Sequence, residues 1–246
     1  DHDFPEFRAG VYDAAAEADY HVLQVRVAPG PGGVGEALPK VFRESHLDAL
    51  IVNEIEPLGP DLSAAMEESG LPIVHLNRRT KFNGIHVDEE AGMASLLDHL
   101  FERGYRDLLY VDLRERKPDC PLHHSRTDRE RAFLSTMEAR GLAVRERIFE
   151  YDLFGVDGTM SVRGIPDEIR QTRFHNLESE VVAWLKSGDL PEVAVCYSDE
   201  AAVRIQMYAL ASGVAIPARM GLTGFNAEDR LDLFSLRAIT TMRIPR

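Results

Sequence analysis

Apolar residues return at intervals of three and four from Phe4 through Phe7, Val11, Ala14 and Ala15 to Ala18, which lays one buried stripe along a helix. Beyond it the pattern alternates between two kinds of segment. Short runs rich in Val, Ile and Leu predict strands at 21–27, 47–52, 71–76, 85–87, 107–111, 148–151, 193–196, 220–223 and 238–241. Amphipathic stretches between them predict helices at 36–45, 61–69, 89–103, 128–140, 177–186 and 199–212. Such alternation predicts an α/β fold with parallel sheets covered by helices on both faces.

Punctuation supports these boundaries. Gly70, Gly104, Gly141 and Gly213 each follow a predicted helix and precede an apolar run or a Pro, as a left-handed C-cap requires. Asp88 before Glu89, Glu90 and Ala91 reads as an N-cap with acidic first-turn residues, which suits the positive end of the helix dipole. The stretch 152–176 has three glycines, Pro166 and little periodicity, and reads as an extended loop or insertion.

Composition narrows the class. The 246 residues, 44% apolar and 28% charged, suffice for one large domain or two smaller ones. A formal charge of -13 repels phosphate backbones, so this segment is not expected to grip nucleic acid by itself. Two cysteines, Cys120 in a polar loop and Cys196 in an apolar strand, read as free thiols rather than a disulfide framework. There is no apolar run of about 18 residues to span a membrane.

Candidate chemistry concentrates where two strands end. Parallel strands of an open sheet finish on one rim, and the strands at 193–196 and 220–223 deliver Ser198, Asp199 and Asn226 there. Short polar side chains at such a rim read polar ligands. Ser198-Asp199 also opens a helix, so Asp199 reads equally as a cap residue.

The order of signals resembles the effector-binding domain of the LacI/GalR family of transcription regulators. The resemblance is carried by Leu47-Asp48-Ala49-Leu50-Ile51-Val52, Gly70-Leu71-Pro72-Ile73-Val74, Val87-Asp88, His99-Leu100-Phe101-Glu102-Arg103-Gly104-Tyr105-Arg106, Arg129-Glu130-Arg131-Ala132-Phe133-Leu134, Ser198-Asp199-Glu200-Ala201-Ala202, Gly213-Val214-Ala215-Ile216-Pro217, Gly224-Phe225-Asn226 and Thr240-Thr241-Met242. It implies two Rossmann-like subdomains of the type I periplasmic-binding-protein class, joined by hinge crossovers, with effector between them. On this resemblance, residues 1–104 form the N-terminal subdomain, 105–243 the C-terminal subdomain, and 244–246 begin the return crossover. The rest of the first subdomain and the DNA-binding headpiece would lie outside this sequence, as in a trimmed effector domain.

The same resemblance implies a cytoplasmic homodimer that binds a small polar metabolite, a sugar or sugar-like molecule, without a cofactor, metal or catalytic step. DNA would be contacted only through the headpiece. Arg129 falls where the family places an arginine that forks to ligand hydroxyls or a carboxylate; a solvated helix-face charge is the other reading. Asn226 stands where sugar-binding members usually carry Asp, Ser198 where many carry Asn, and Ala132 where Gly is usual. Asp3 and Phe4 match a segment that touches effector, with Phe4 able to stack on an apolar sugar face. Asp88 matches a position that approaches ligand, in addition to its cap.

Two other functions share parts of these signals. A solute-binding protein of a transporter would have the same cleft. An NAD-dependent oxidoreductase is raised by Gly30-Pro31-Gly32-Gly33-Val34-Gly35, which satisfies G-x-G-x-x-G and has Glu54 about 20 residues further on. Pro31 within that segment, and Pro29 just before it, remove backbone donors that should face a pyrophosphate, so a flexible loop is the simpler reading. Cys120, His123 and His124 lack metal-ligand spacing, there is no G-x-S-x-G elbow, and the carboxylate pairs Glu67-Glu68 and Glu89-Glu90 read as solvated faces or first-turn charges.

Overall fold

The computed structural model describes residues 5–25, 29–30, 33–34, 46–53, 60–80, 83–115, 122–151, 167–227 and 239–243. Contacts divide the chain into two compact units, Asp1–Val87 with Pro245–Arg246, and Asp88–Ile244. The sequence reading draws that line after Gly104; the contacts draw it one helix earlier.

In the first unit, α1 spans Pro5–Glu17. Strands β1 (Pro29–Gly30) and β2 (Gly33–Val34) pair antiparallel, Gly30 opposite Gly33, so the glycine-rich segment folds back on itself. The expected helix at 36–45 lies outside the described residues. Strands β3 (Leu50–Asn53), β4 (Ile73–Leu76) and β5 (Gly84–Ile85) form a parallel sheet in that order, and α2 spans Pro60–Glu68. The strand expected at 21–27 does not form over residues 21–25. Val22, Leu23 and Val25 are exposed there, and among the described residues no strand pairs with the run, so its β-propensity goes unused.

The second unit is a five-stranded, all-parallel sheet. Its strands are β6 (Leu108–Glu115), β7 (Glu146–Tyr151), β8 (Val193–Cys196), β9 (Gly221–Asn226) and β10 (Thr240–Arg243), in the order β10-β9-β8-β6-β7. Helices α3 (Glu89–Glu102), α4 (His124–Ala139), α5 (Asp167–Lys186) and α6 (Asp199–Ala211) cover it. Because successive strand residues face opposite ways, one apolar run feeds two cores. Leu108, Tyr110, Val193, Val195 and Phe225 pack with Met93, Leu96, Leu97 and Leu100 of α3 and with Phe133 and Met137 of α4. Leu109, Val111, Leu113, Ala194 and Cys196 pack on the other face with Leu177, Val181 and Trp184 of α5 and with Ala202 and Ile205 of α6. The apolar stripe of α3 is spent entirely in the first of these cores, which is why residues 88–104 belong to the second unit by contact.

Differences at element ends have local causes. Strand β6 runs four residues beyond the expected Val111 because β7 pairs alongside it from Tyr110 to Glu115. Helix α5 begins at Asp167, so residues 167–176 of the expected loop are helical. Residues 152–166 lie outside the described set. The four helix-ending glycines all have positive φ, between 66° at Gly70 and 91° at Gly104.

Helices α3 and α4 run in the same direction and are tied by three ion pairs with the acid always on α3. Glu89 pairs with Arg129, Glu90 with Arg131, and Asp98 with Arg140.

Candidate functional site

Strands β6, β8 and β9 all finish on the rim expected for ligand binding in an open α/β sheet. There Arg129, on the second turn of α4, is buried with only 2% of its surface exposed. Its Nε donates to Glu89 Oε2 at 2.6 Å, Nη1 to the Tyr197 carbonyl at 2.8 Å and Nη2 to Asn226 Oδ1 at 2.9 Å. The faces of the guanidinium are covered too: its carbon lies 3.8 Å from the Phe225 ring centroid and 4.8 Å from that of Tyr197. Arginine suits this position because its planar fork bonds and stacks at once. The solvated-face alternative for Arg129 is therefore excluded.

The backbone that presents Asn226 is unusual. Asn226 has φ 103° and the next residue, Ala227, φ 54°, so the end of β9 turns through two consecutive left-handed residues. Asn tolerates this better than most side chains; Ala227 does not, and its N–H is held by Thr241 Oγ1 at 3.2 Å. Phe225, one residue earlier, fits beneath α3 because Gly92 has no side chain.

Ser198 is half-buried and caps α6, its Oγ accepting from the Ala201 N–H at 3.3 Å. Asp199, 6% exposed, opens that helix against β9, where Gly224 leaves room for it. A Cβ on Gly224 would fall 2.1 Å from Asp199 Oδ1 and 2.9 Å from its Cα. Asp88 is exposed and caps α3, accepting from Ala91 N–H at 3.0 Å. The structure thus brings Arg129 and Asn226 into direct contact and gives Asp88 the cap its position foretold, whereas the cap read at Asp199 is made by its neighbour Ser198. Asp3 and Phe4 lie outside the described residues.

A second polar cluster adjoins through Tyr197. Asp112, fully buried on β6, accepts from Arg114 Nε at 3.2 Å and is also bonded to Arg126. Burial lowers the proton affinity of both guanidiniums, but the Asp112 charge beside them carries each above its ordinary value. Arg126 lies over the Tyr197 ring at 4.2 Å. The Tyr197 hydroxyl shares a 2.8 Å hydrogen bond with Ser125 Oγ, which shares another of 2.8 Å with His123 Nδ1. His123 is the N-cap of α4, its ring nitrogen accepting from the Ser125 N–H. Below them Tyr110 is buried with its hydroxyl unpaired among the described residues, and burial, then Asp112, pushes its phenol well above the usual range.

Sequence reading missed Glu89, Tyr197, Asp112 and Arg126. Glu89 corrects the expectation of a solvated or purely first-turn charge: it is 1% exposed and paired. For Asp112 a signal existed, since Asp112 and Arg114 continue the alternating period of β6 past the apolar run. Among the described residues no group of three His, Cys, Asp or Glu is arranged to hold a metal ion.

An open parallel sheet wound on both faces, with polar groups converging at its C-terminal rim, defines a ligand-binding α/β domain. The family model of the periplasmic binding protein-like domain matches residues 97–246, and the chain belongs to that family. Its fold is similar to that of a LacI family transcriptional regulator from Mycobacterium smegmatis, at 22% identity over 98% of this chain and 80% of that one, with a TM-score of 0.68. It is likewise similar to the transcription regulator GntR from Chromobacterium violaceum, at 16% identity over 98% and 80%, TM-score 0.67. A LacI family regulator from Lactobacillus casei with bound glucose shares 21% identity over 96% of this chain and 81% of that one, TM-score 0.60. No curated protein sequence matches the chain.

Proposed function

We propose that this chain is the ligand-sensing domain of a LacI-type transcriptional regulator, and that it binds a small polar metabolite of the sugar class at the rim of the second unit. The observation that carries this reading is the 2.9 Å contact between Arg129 and Asn226, which joins α4 to the end of β9 at the place where such sheets bind ligands. The similarity in fold to a glucose-bound regulator supports the ligand class. Ser198, Asp199 and Asp88 line the same reading as helix-opening residues near the rim. Asp3 and Phe4 remain part of the proposed contact set.

The reading assigns no catalytic step. Ser125 and His123 are within hydrogen-bond distance, yet Ser125 is buried and its hydroxyl is shared with Tyr197, so the pair serves to seat α4. Partners follow from the same reading: a second copy of the chain, and DNA through a headpiece in a cytoplasmic full-length regulator. The acidic charge of -13 agrees with leaving DNA contact to another part of the protein.

Thermal denaturation against a panel of sugars, sugar acids and sugar phosphates tests the proposal. A ligand that binds only the folded state stabilises it by about 2.7 kcal/mol at one hundred times its Kd. At least one compound is expected to raise the melting temperature, and Asn226→Ala to abolish that rise. A panel without effect overturns the sensor reading.

A further inference from the structure

We propose that Glu89 is the residue that sets the charge of the ligand: by neutralising Arg129 it restricts the rim to uncharged, hydroxyl-bearing molecules. The inference rests on the sensor reading above and adds to it a specificity-determining residue and a charge class.

The argument starts from what the guanidinium has left to give. It carries five N–H groups. Among the described residues, Glu89, the Tyr197 carbonyl and Asn226 take three of them, and aromatic rings cover its faces. Two N–H groups on the η nitrogens remain to meet a ligand. Their chemistry depends on the carboxylate behind them. With 3% of the arginine side chain and 1% of the glutamate exposed, the two charges compensate each other in a low-dielectric setting and present a dipole rather than a full cation. A hydroxyl satisfies such a donor at little cost. A carboxylate or phosphate loses its water shell and gains no counter-charge in return.

The neighbouring groups point the same way. Asp88, Glu90 and Asp128 flank the pair in sequence, and the cation beside them, Arg131, is already bonded to both Glu90 and Asp128. No surplus positive charge is left at α3 and α4 to welcome an anion. Removing the Glu89 charge reverses the situation: a buried guanidinium without a counter-ion is costly, and an anionic ligand would supply the missing charge.

The test measures binding of matched probes, D-glucose against D-glucuronate and D-ribose against D-ribose 5-phosphate, at constant ionic strength by calorimetry. Wild type is expected to bind the uncharged member of a pair at least about tenfold more tightly. Glu89→Gln is expected to move that ratio toward the anion by about tenfold or more, and Glu89→Asp, which keeps the charge, to leave it in place. A preference of the wild type for the anion, or a ratio unmoved in Glu89→Gln, overturns the role of Glu89 while leaving the sensor reading intact. Binding of neither member of either pair by either protein counts against both. Should Glu89→Gln fail to fold, the doubly neutral Glu89→Gln/Arg129→Gln variant takes its place; it is expected to gain no affinity for the anions, and a gain overturns the proposal.

Discussion

A Cβ atom on Gly92 would stand 2.7 Å from Cζ of Phe225, so the ring that supports Arg129 occupies the space a side chain on α3 would need. Gly92→Ala sets two effects against each other. Alanine is the better helix former by about 0.5–1 kcal/mol, whereas overpacking a filled core costs about 1–3 kcal/mol. Phe225 is 1% exposed and held by the Arg129 guanidinium, so it has little room to yield. Gly92→Ala is expected to destabilise by about 1 kcal/mol in urea unfolding, and Phe225→Leu in the same chain to recover part of that loss. A stabilised Gly92→Ala would show that the ring moves freely.

The Glu89–Arg129 pair makes a second prediction. Removing one member of a buried ion pair strands the other and costs about 3–5 kcal/mol. Glu89→Leu should fall in that range. Replacing both, as Glu89→Leu/Arg129→Met, should recover most of it, because the stranded charge is then gone. Equal losses for single and double variants would mean that packing, not charge, dominates the pair.

Ala227 holds a left-handed φ of 54° without any side-chain group to offset it. For a non-glycine residue that conformation costs about 1–2 kcal/mol. Ala227→Gly is expected to raise stability by about 1 kcal/mol, read as a rise in melting temperature of about 2–4 °C. A lower melting temperature would contradict this account of the turn.

Glu192 gives a pH dependence of known sign. Its carboxylate accepts the N–H groups of Arg106 at 2.7 Å and Asp107 at 3.0 Å, and these two bonds hold its pKa below the ordinary 4.5. Since the folded value is the lower one, the contribution is present above the unfolded pKa and is lost as pH falls through the folded one. The stability gap between wild type and Glu192→Gln should therefore be widest near neutrality and narrow between about pH 5 and pH 3. A gap that widens on acidification would refute the assignment.

Much of the second unit was legible because its determinants are local. Gly104 and Gly141 stop helices through their own φ, and Asp88 caps a helix through an atom three residues away. Asn226 was found by its place at the end of a recognisable strand, and Arg129 by the resemblance to the LacI/GalR family. Glu89 escaped because its partner is 40 residues distant, and nothing in a Glu-Glu pair distinguishes the buried member from the exposed one. Tyr197 escaped because its role depends on meeting Ser125 from another element. In the first unit, the run at 21–25 has the composition of a strand but no strand partner among the described residues, and composition alone does not report pairing.

The three acid–arginine pairs between α3 and α4 work as the teeth of a key. Leucine and phenylalanine contacts would tolerate the two helices gliding past each other, but a slip of one turn, about 5.4 Å, unseats every pair at once. Helix α3 therefore has one height at which it meets α4, and the height of Glu89 behind Arg129 is fixed along with it.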